Sequence, residues 1–321
     1  MRLADSPIGY LALGSSHLKP MRHKDDRRQG RPEPQRPGGP RPQGQPGASR
    51  PRGRDIGPRP QRPYEERPQR APNAELLYGR NAVREALRAR RRTLRQLLVA
   101  EGVREGGPVA ELIELAQAAN VPIAQVERRA LDEQTEGVNH QGVALEAGLY
   151  RYAQLDDMLA LAQSRGEEPL LLLLDHVQDP QNVGTLLRTA DVVGAHGIVL
   201  PDRRAAGITP SVVNASAGAV EHLLIAQVTN LVQAIETLKE QGVWIGGLED
   251  DPRAQDYDSQ RSDLPLALVI GAEGPGLARL VRERCDFLLK LPMAGNVASL
   301  NAATAGSIAL YTLWRKRHRN S

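Results

Sequence analysis

The stretch Leu170-Leu-Leu-Leu-Leu174-Asp175-His-Val-Gln-Asp179-Pro-Gln-Asn182-Val-Gly184-Thr-Leu-Leu-Arg188 decides the fold class. Five consecutive leucines leave no polar side chain to face water, as expected of a parallel strand covered on both faces. The run ends on an acid and an Asp-Pro turn. A helical segment then opens over Val183 to Val193, with Asp179 and Asn182 suited to turn and cap positions. Strand, polar turn and helix make the first half of an α/β unit, and ligands in open parallel sheets bind beyond the carboxyl ends of such strands.

Working outward, the same alternation continues toward the carboxyl end. Strand candidates are Gly197 to Leu200, Leu223 to Val228, Val243 to Leu248, Leu266 to Gly271 and Phe287 to Leu291. Helical spacing falls at Pro210 to Val220, Leu231 to Gln241, Gly276 to Arg284 and Ala302 to Arg317. Alternating elements of this kind predict an α/β fold with a mostly parallel sheet over residues 169–321. Toward the amino end, Leu76 to Arg91 has helical apolar spacing, and Val109 to Ala119 reads as a second helix. Leu94 to Ala100, Val121 to Val126 and Val143 to Ala147 read as strands. Residues 74–150 are thus a small α/β unit, and the polar stretch within 151–168 reads as a linker.

Residues 1–73 are of another kind. From 22 to 72 the chain is mostly Arg, Pro, Gly and Gln. It has almost nothing apolar to bury, which predicts a disordered basic arm. Its arginines would release counterions from nucleic acid; a solubilising tail accounts for the same composition. Met21 precedes the arm and is a second candidate start. The formal charge of +4 over 321 residues understates the local charge of this segment.

Composition excludes several classes. One cysteine, Cys285, allows neither an intramolecular disulfide nor a cysteine-based zinc site. The histidines at 17, 23, 140, 176, 196, 222 and 318 have no ligand spacing, so no metal is expected. No segment is apolar over a membrane length, which predicts a soluble cytoplasmic protein. Aromatic residues are only 3% of the chain, too few for a base-stacking platform.

Three polar clusters follow strands of the larger unit. The first holds Asn182 and Arg188 in place of a dinucleotide-binding glycine loop. The second is Gly271-Ala-Glu273-Gly274-Pro-Gly276, which lacks the Lys and Ser/Thr of a phosphate loop. The third, Leu291-Pro-Met293-Ala-Gly-Asn296-Val-Ala-Ser299-Leu300-Asn301, precedes the last helix. Taken singly, turns and helix caps account for each. Together, each just after a strand of one sheet, they predict a single site at the sheet's carboxyl edge.

In order and spacing the clusters resemble the three motifs of the SpoU (TrmH-type) family of RNA ribose methyltransferases, within the SPOUT superfamily. The resemblance runs from about Leu170 to Leu313, with no departure at the motif positions. The preceding unit, with Leu77-Tyr-Gly-Arg-Asn-Ala-Val and His140-Gln-Gly142, resembles the RNA-binding domain of the subfamily that methylates a guanosine of 23S ribosomal RNA. The family implies S-adenosylmethionine as donor and a ribose 2′-hydroxyl as acceptor. It also implies a trefoil knot at the sheet's carboxyl end and a homodimer through the last helix, where Ile308, Leu310, Leu313 and Trp314 would face the partner. Gly271, Leu291, Met293 and Leu300 would contact the cofactor. Asn182, Arg188, Glu273, Ser299 and Asn301 would form the catalytic set. The family's arginine has been proposed as the base that takes the hydroxyl proton. A guanidinium is normally only a donor, so Arg188 is expected instead to lower the hydroxyl pKa or bind the adjacent phosphate. Asn182 and Glu273 would hold Arg188, while Ser299 and Asn301 orient the ribose. Methylation of transfer RNA, or a non-catalytic RNA-binding or ribosome-assembly role, are the competing readings.

Overall fold

The computed structural model describes residues 73–103, 106–259, 261, 263–296 and 299–319, which belong to one compact unit. The basic arm expected over 1–73 lies outside the described residues, apart from Asn73.

The described residues open with strand β1 (Ala74–Tyr78), helix α1 (Arg80–Ala89), β2 (Leu94–Ala100), α2 (Pro108–Ala118), β3 (Ile123–Val126), α3 (Arg128–Gln134) and β4 (Val143–Gly148). The strands form a sheet in the order β1-β4-β2-β3, with β2 and β3 parallel and the β1–β4 and β2–β4 pairs antiparallel. The helix expected over Leu76 to Arg91 is therefore corrected to a strand followed by a helix. Leu76 and Leu77 are consecutive and both buried, each in a different hydrophobic cluster. A pleated strand points neighbours to opposite faces and a helix does not. Gly79, at φ 86°, makes the turn between them. The chain packs tightly there, because a Cβ on Gly79 would lie 2.4 Å from the Asn214 amide nitrogen.

Helix α4 (Leu155–Arg165) occupies most of the stretch expected as a linker, and its Met158 is fully buried. The larger sheet is built from β5 (Leu170–Asp175), β6 (Gly197–Pro201), β7 (Ile225–Val228), β8 (Trp244–Leu248), β9 (Gln255–Asp256), β10 (Leu266–Gly271) and β11 (Phe287–Lys290). Their order is β7-β6-β5-β10-β8-β11-β9, with every pairing parallel. Between the strands run α5 (Pro180–Val192), α6 (Pro210–Ala215), a 3-10 turn (Ala219–His222), α7 (Leu231–Glu240) and α8 (Arg279–Arg284), and α9 (Ala302–Arg319) closes the chain. The helix expected over Pro210 to Val220 breaks into α6 and the 3-10 turn at Gly218, which has φ 88°.

The leucine run behaves as its composition requires. Leu170, Leu172 and Leu174 enter one core, shared with α5, α6 and α9; Leu171 and Leu173 enter the other, shared with α4, α7 and α8. Strand β10 alternates in the same way and lies in register beside β5, with Gly271 opposite Asp175. Leu310 and Leu313 of α9 are fully buried in the first core, so they pack within the chain and not against a partner. Ile308 and Tyr311 remain exposed on that helix.

Candidate active site

The site forms where β5, β8, β10 and β11 deliver their carboxyl ends. Helix α5 begins with Asp179 accepting from the Gln181 N–H at 3.1 Å and Pro180 in the first turn. That start buries Asn182. Helix α9 begins with Asn301, whose Oδ1 accepts from the Thr304 N–H at 3.0 Å. The same side chain turns its amide nitrogen outward, donating to Asn182 Oδ1 at 2.9 Å and to the Glu273 carboxylate. One asparagine thus joins all three clusters while capping its helix.

Glu273 stands on a tight loop. Ala272 and Gly276 exchange backbone hydrogen bonds at 3.0 and 3.2 Å. A Cβ on Gly271 would fall 2.3 Å from the Gly276 carbonyl carbon, so the loop closes only over a glycine. Asp175, fully buried, anchors the loop's far end by accepting from the Ala278 N–H at 2.6 Å. Its other oxygen pairs with His176 Nδ1 at 2.5 Å, and His176 adopts φ 61° to reach it.

Beside this cluster opens a cleft of about 500 Å³. Gly271, Glu273, Leu291, Met293, Ser299, Leu300 and Asn301 all line it. Glu249, Asp250 and Lys290 line it too and were not anticipated. Their positions directly after β8 and at the end of β11 obey the same carboxyl-edge rule and could have been found by it. Arg282 engages both oxygens of Glu249, with Nε to Oε2 at 2.6 Å. Asp250 beside it makes no side-chain hydrogen bond or ion pair with the described residues.

Arg188 is placed elsewhere. Six residues after Asn182 on an α-helix is about 9 Å along the axis and about 120° around it. Arg188 accordingly shares a face with Thr185, Thr189 and Val192, in an exposed groove against Ser307, Ile308 and Tyr311 of α9. It makes no hydrogen bond or ion pair with the described residues. The clasp of Arg188 by Asn182 and Glu273 is not formed within the chain, where the Asn301 amide engages both.

Cys285 contributes no nucleophile, because burial pushes its thiol up to about 12. Among the described residues no group of three or more His, Cys, Asp and Glu could hold a metal ion. No described helix is long and apolar enough to cross a membrane.

Residues 169–311 match the model of the SpoU rRNA methylase family. Residues 76–153 match the model for RNA 2′-O ribose methyltransferase substrate binding. A Bacillus subtilis protein described as a TrmH family tRNA/rRNA methyltransferase is 46% identical over 244 residues, covering 76% of this chain and 96% of its own length. An AdoMet-bound rRNA methyltransferase from Sinorhizobium meliloti is 26% identical with a TM-score of 0.61, covering 76% of this chain and 87% of that one. The SpoU methyltransferase AviRb from Streptomyces viridochromogenes shares the fold, with a TM-score of 0.65 over 77% of this chain and 92% of its own at 24% identity. With the three clusters joined at the edge of one parallel sheet and both halves of the described chain matched, the chain belongs to the SpoU (TrmH) family of RNA methyltransferases.

Proposed function

We propose that the chain transfers a methyl group from S-adenosylmethionine to the ribose 2′-hydroxyl of a guanosine in 23S ribosomal RNA, in the cytoplasm. The observation that carries this reading is Asn301, whose amide bridges Asn182 and Glu273 at the rim of a ligand-sized cleft.

The cleft fits the cofactor. Its volume is in the range of small-molecule sites, which are largely apolar with a few placed polar groups. Leu248, Ile270, Leu291, Met293 and Leu300 supply apolar wall for an adenine. The loop from Gly271 to Gly276 brings its glycine backbone to the wall, and Asp250 offers an acceptor for a positive group. Bound there, S-adenosylmethionine supplies a sulfonium methyl open to in-line displacement.

The chain's own residues then position the acceptor, which for such a displacement is most of the work. Asn301 holds Glu273 and Asn182 in one polar group, and Ser299 adds a hydroxyl to the same cleft. These groups would orient the ribose. Arg188 cannot join them within its own chain without moving around α5. Val192, Ile308 and Tyr311 leave an apolar strip beside it, with Val192 64% exposed. We read this groove as the face of a homodimer, across which Arg188 would bring its guanidinium to the partner's site and stabilise a developing alkoxide or an adjacent phosphate. The family's trefoil knot at the carboxyl end of the sheet belongs to the same proposal.

The test is to incubate the protein with labelled S-adenosylmethionine and separated ribosomal and transfer RNA. Label in 23S RNA supports the proposal. Label in transfer RNA alone moves the substrate to that class, which the names of the relatives also include. Label in neither leaves an RNA-binding or assembly factor.

A further inference from the structure

The small sheet meets the larger body across an interface that buries an ion pair. Arg92, after α1, has a side chain only 1% exposed, and Glu221, in the 3-10 turn of the larger body, is fully buried. Arg92 Nε lies 2.9 and 3.1 Å from the two Glu221 oxygens, and its Nη1 lies 2.6 Å from Glu75 of β1. The Tyr150 ring covers the guanidinium with its centroid 5.2 Å away. Around this pair the backbone is tied as well. Tyr150 Oη and Arg91 Nη1 both donate to the Leu223 carbonyl, at 2.8 and 2.6 Å, and the Asn214 amide donates to the Tyr78 carbonyl at 3.1 Å. Two glycines make the approach possible: a Cβ on Gly79 would strike Asn214, and one on Gly218 would lie 2.6 Å from Glu85 Cβ. A single hydrophobic cluster runs through the junction from Leu77 and Val83 to Val212 and Val220.

The junction leads directly to the site. Asn214 is on α6, and the next residue, Ala215, stands so close to α5 that a Cβ on Gly184 would lie 2.4 Å from its own Cβ. Two residues before Gly184 is Asn182, the buried partner of Asn301. A few contacts therefore connect the small sheet to the polar cluster.

We infer that the small domain is a fixed ruler: the Arg92–Glu221 pair holds the unit matched by the substrate-binding model at one distance and angle from the Asn182–Asn301 cluster, and that span selects which ribose is presented. Arg92 and Glu221 are positioning residues. They touch neither cofactor nor acceptor, and they set product choice instead of methyl-transfer chemistry. The inference rests on the reading of the chain as a ribose methyltransferase. Removing Glu221 leaves the buried Arg92 guanidinium with Glu75 as its one remaining acidic partner among the described residues, whereas replacing both members of a buried pair with apolar side chains of similar volume is often tolerated.

The test uses the full chain, total ribosomal RNA as substrate, and mapping of every 2′-O-methyl position formed. Glu221→Leu is expected to lower the ratio of main to secondary sites by about tenfold, the effect of a modest loss in positioning free energy. The KM for S-adenosylmethionine should stay unchanged. Arg92→Met combined with Glu221→Leu is expected to restore the ratio. In parallel, spin labels at Gln117→Cys and Glu240→Cys, in a Cys285→Ala background, should give one narrow distance distribution in the otherwise unaltered protein. An unchanged product ratio in Glu221→Leu, or a broad distribution with Arg92 and Glu221 intact, would overturn the inference. The distance measurement stands even if Glu221→Leu does not fold. Failure of the parent protein to methylate any RNA would count against the proposed function, and the distance measurement would still judge the ruler.

Discussion

Replacing Asn301 with aspartate separates the two jobs of one side chain. Its Oδ1 caps α9 through Thr304, and its Nδ2 donates to Asn182 and Glu273. Aspartate keeps the cap, and its charge suits the amino end of a helix, contributing about 0.5 kcal/mol. It loses both donations and sets a carboxylate against Glu273. A hydrogen bond to a charged group contributes about 1.5–3 kcal/mol where it is shielded. Asn301 and Glu273 are both exposed, however, so screening brings the electrostatic part to about 1 kcal/mol or less. The helix-end gain offsets some of that, and unfolding should shift by only about 2–4 °C. Alanine should cost about 1 kcal/mol more, because the cap goes as well. Activity should behave differently. If Asn301 orders the groups that orient the ribose, a displacement of about 1 Å lowers methyl transfer about 100-fold, close to 2.7 kcal/mol in the transition state. The measurement is single-turnover methyl transfer beside thermal unfolding for Asn301→Asp, Asn301→Ala and the parent. An aspartate variant that methylates within about twofold of the parent would refute the assignment of Asn301 to the site.

Three further outcomes are expected from the geometry. Gly271→Ala places a Cβ against backbone that cannot give way, so it should cost about 1–3 kcal/mol and weaken S-adenosylmethionine binding in a calorimetric titration. Gly295→Ala, which meets open space, should leave binding unchanged, and equal affinity in both variants would contradict the loop's role. His196 is buried, with Nδ1 accepting from the Leu170 N–H at 3.0 Å and Nε2 against Glu167 at 3.1 Å. Burial holds its pKa below the ordinary 6.5, so the neutral form contributes stability that is present above pH 6.5 and lost as pH falls below it. Unfolding temperature should drop on acidification from neutrality, and less steeply in His196→Gln; identical slopes would remove His196 from the account. Arg188→Lys keeps the charge but loses the planar fork, and should lower turnover by about tenfold or more. Near-normal turnover would argue against both bidentate positioning and a role as base.

The leucine run was legible because an all-apolar strand has one setting, between two covered layers. Leu170 to Leu174 duly divide between two cores. The three clusters were legible as a set because the strands of a parallel sheet all point one way, so the loops leaving them gather at one edge. The opening of the small unit was not, since Leu77, Val83 and Leu87 fit a helical spacing across a glycine whose φ of 86° actually separates two elements. Helix α4 gave little signal: only Met158 and Ala162 are buried along it. Arg188 was grouped with Asn182 by proximity along the chain, although their spacing on a helix already turns them to different faces. Arg92 and Glu221 are separated by 129 positions, and nothing local in either neighbourhood announces the pairing.

Transfer of the methyl group to a ribose oxygen can be measured directly. The measurement is mass spectrometry of nucleosides from 23S RNA after incubation with the protein and S-adenosylmethionine. The expected new product is 2′-O-methylguanosine, formed about 100-fold more slowly when Asn301→Asp replaces the parent protein. A methyl group found on a base, or 2′-O-methylation unaffected by that substitution, would contradict this expectation.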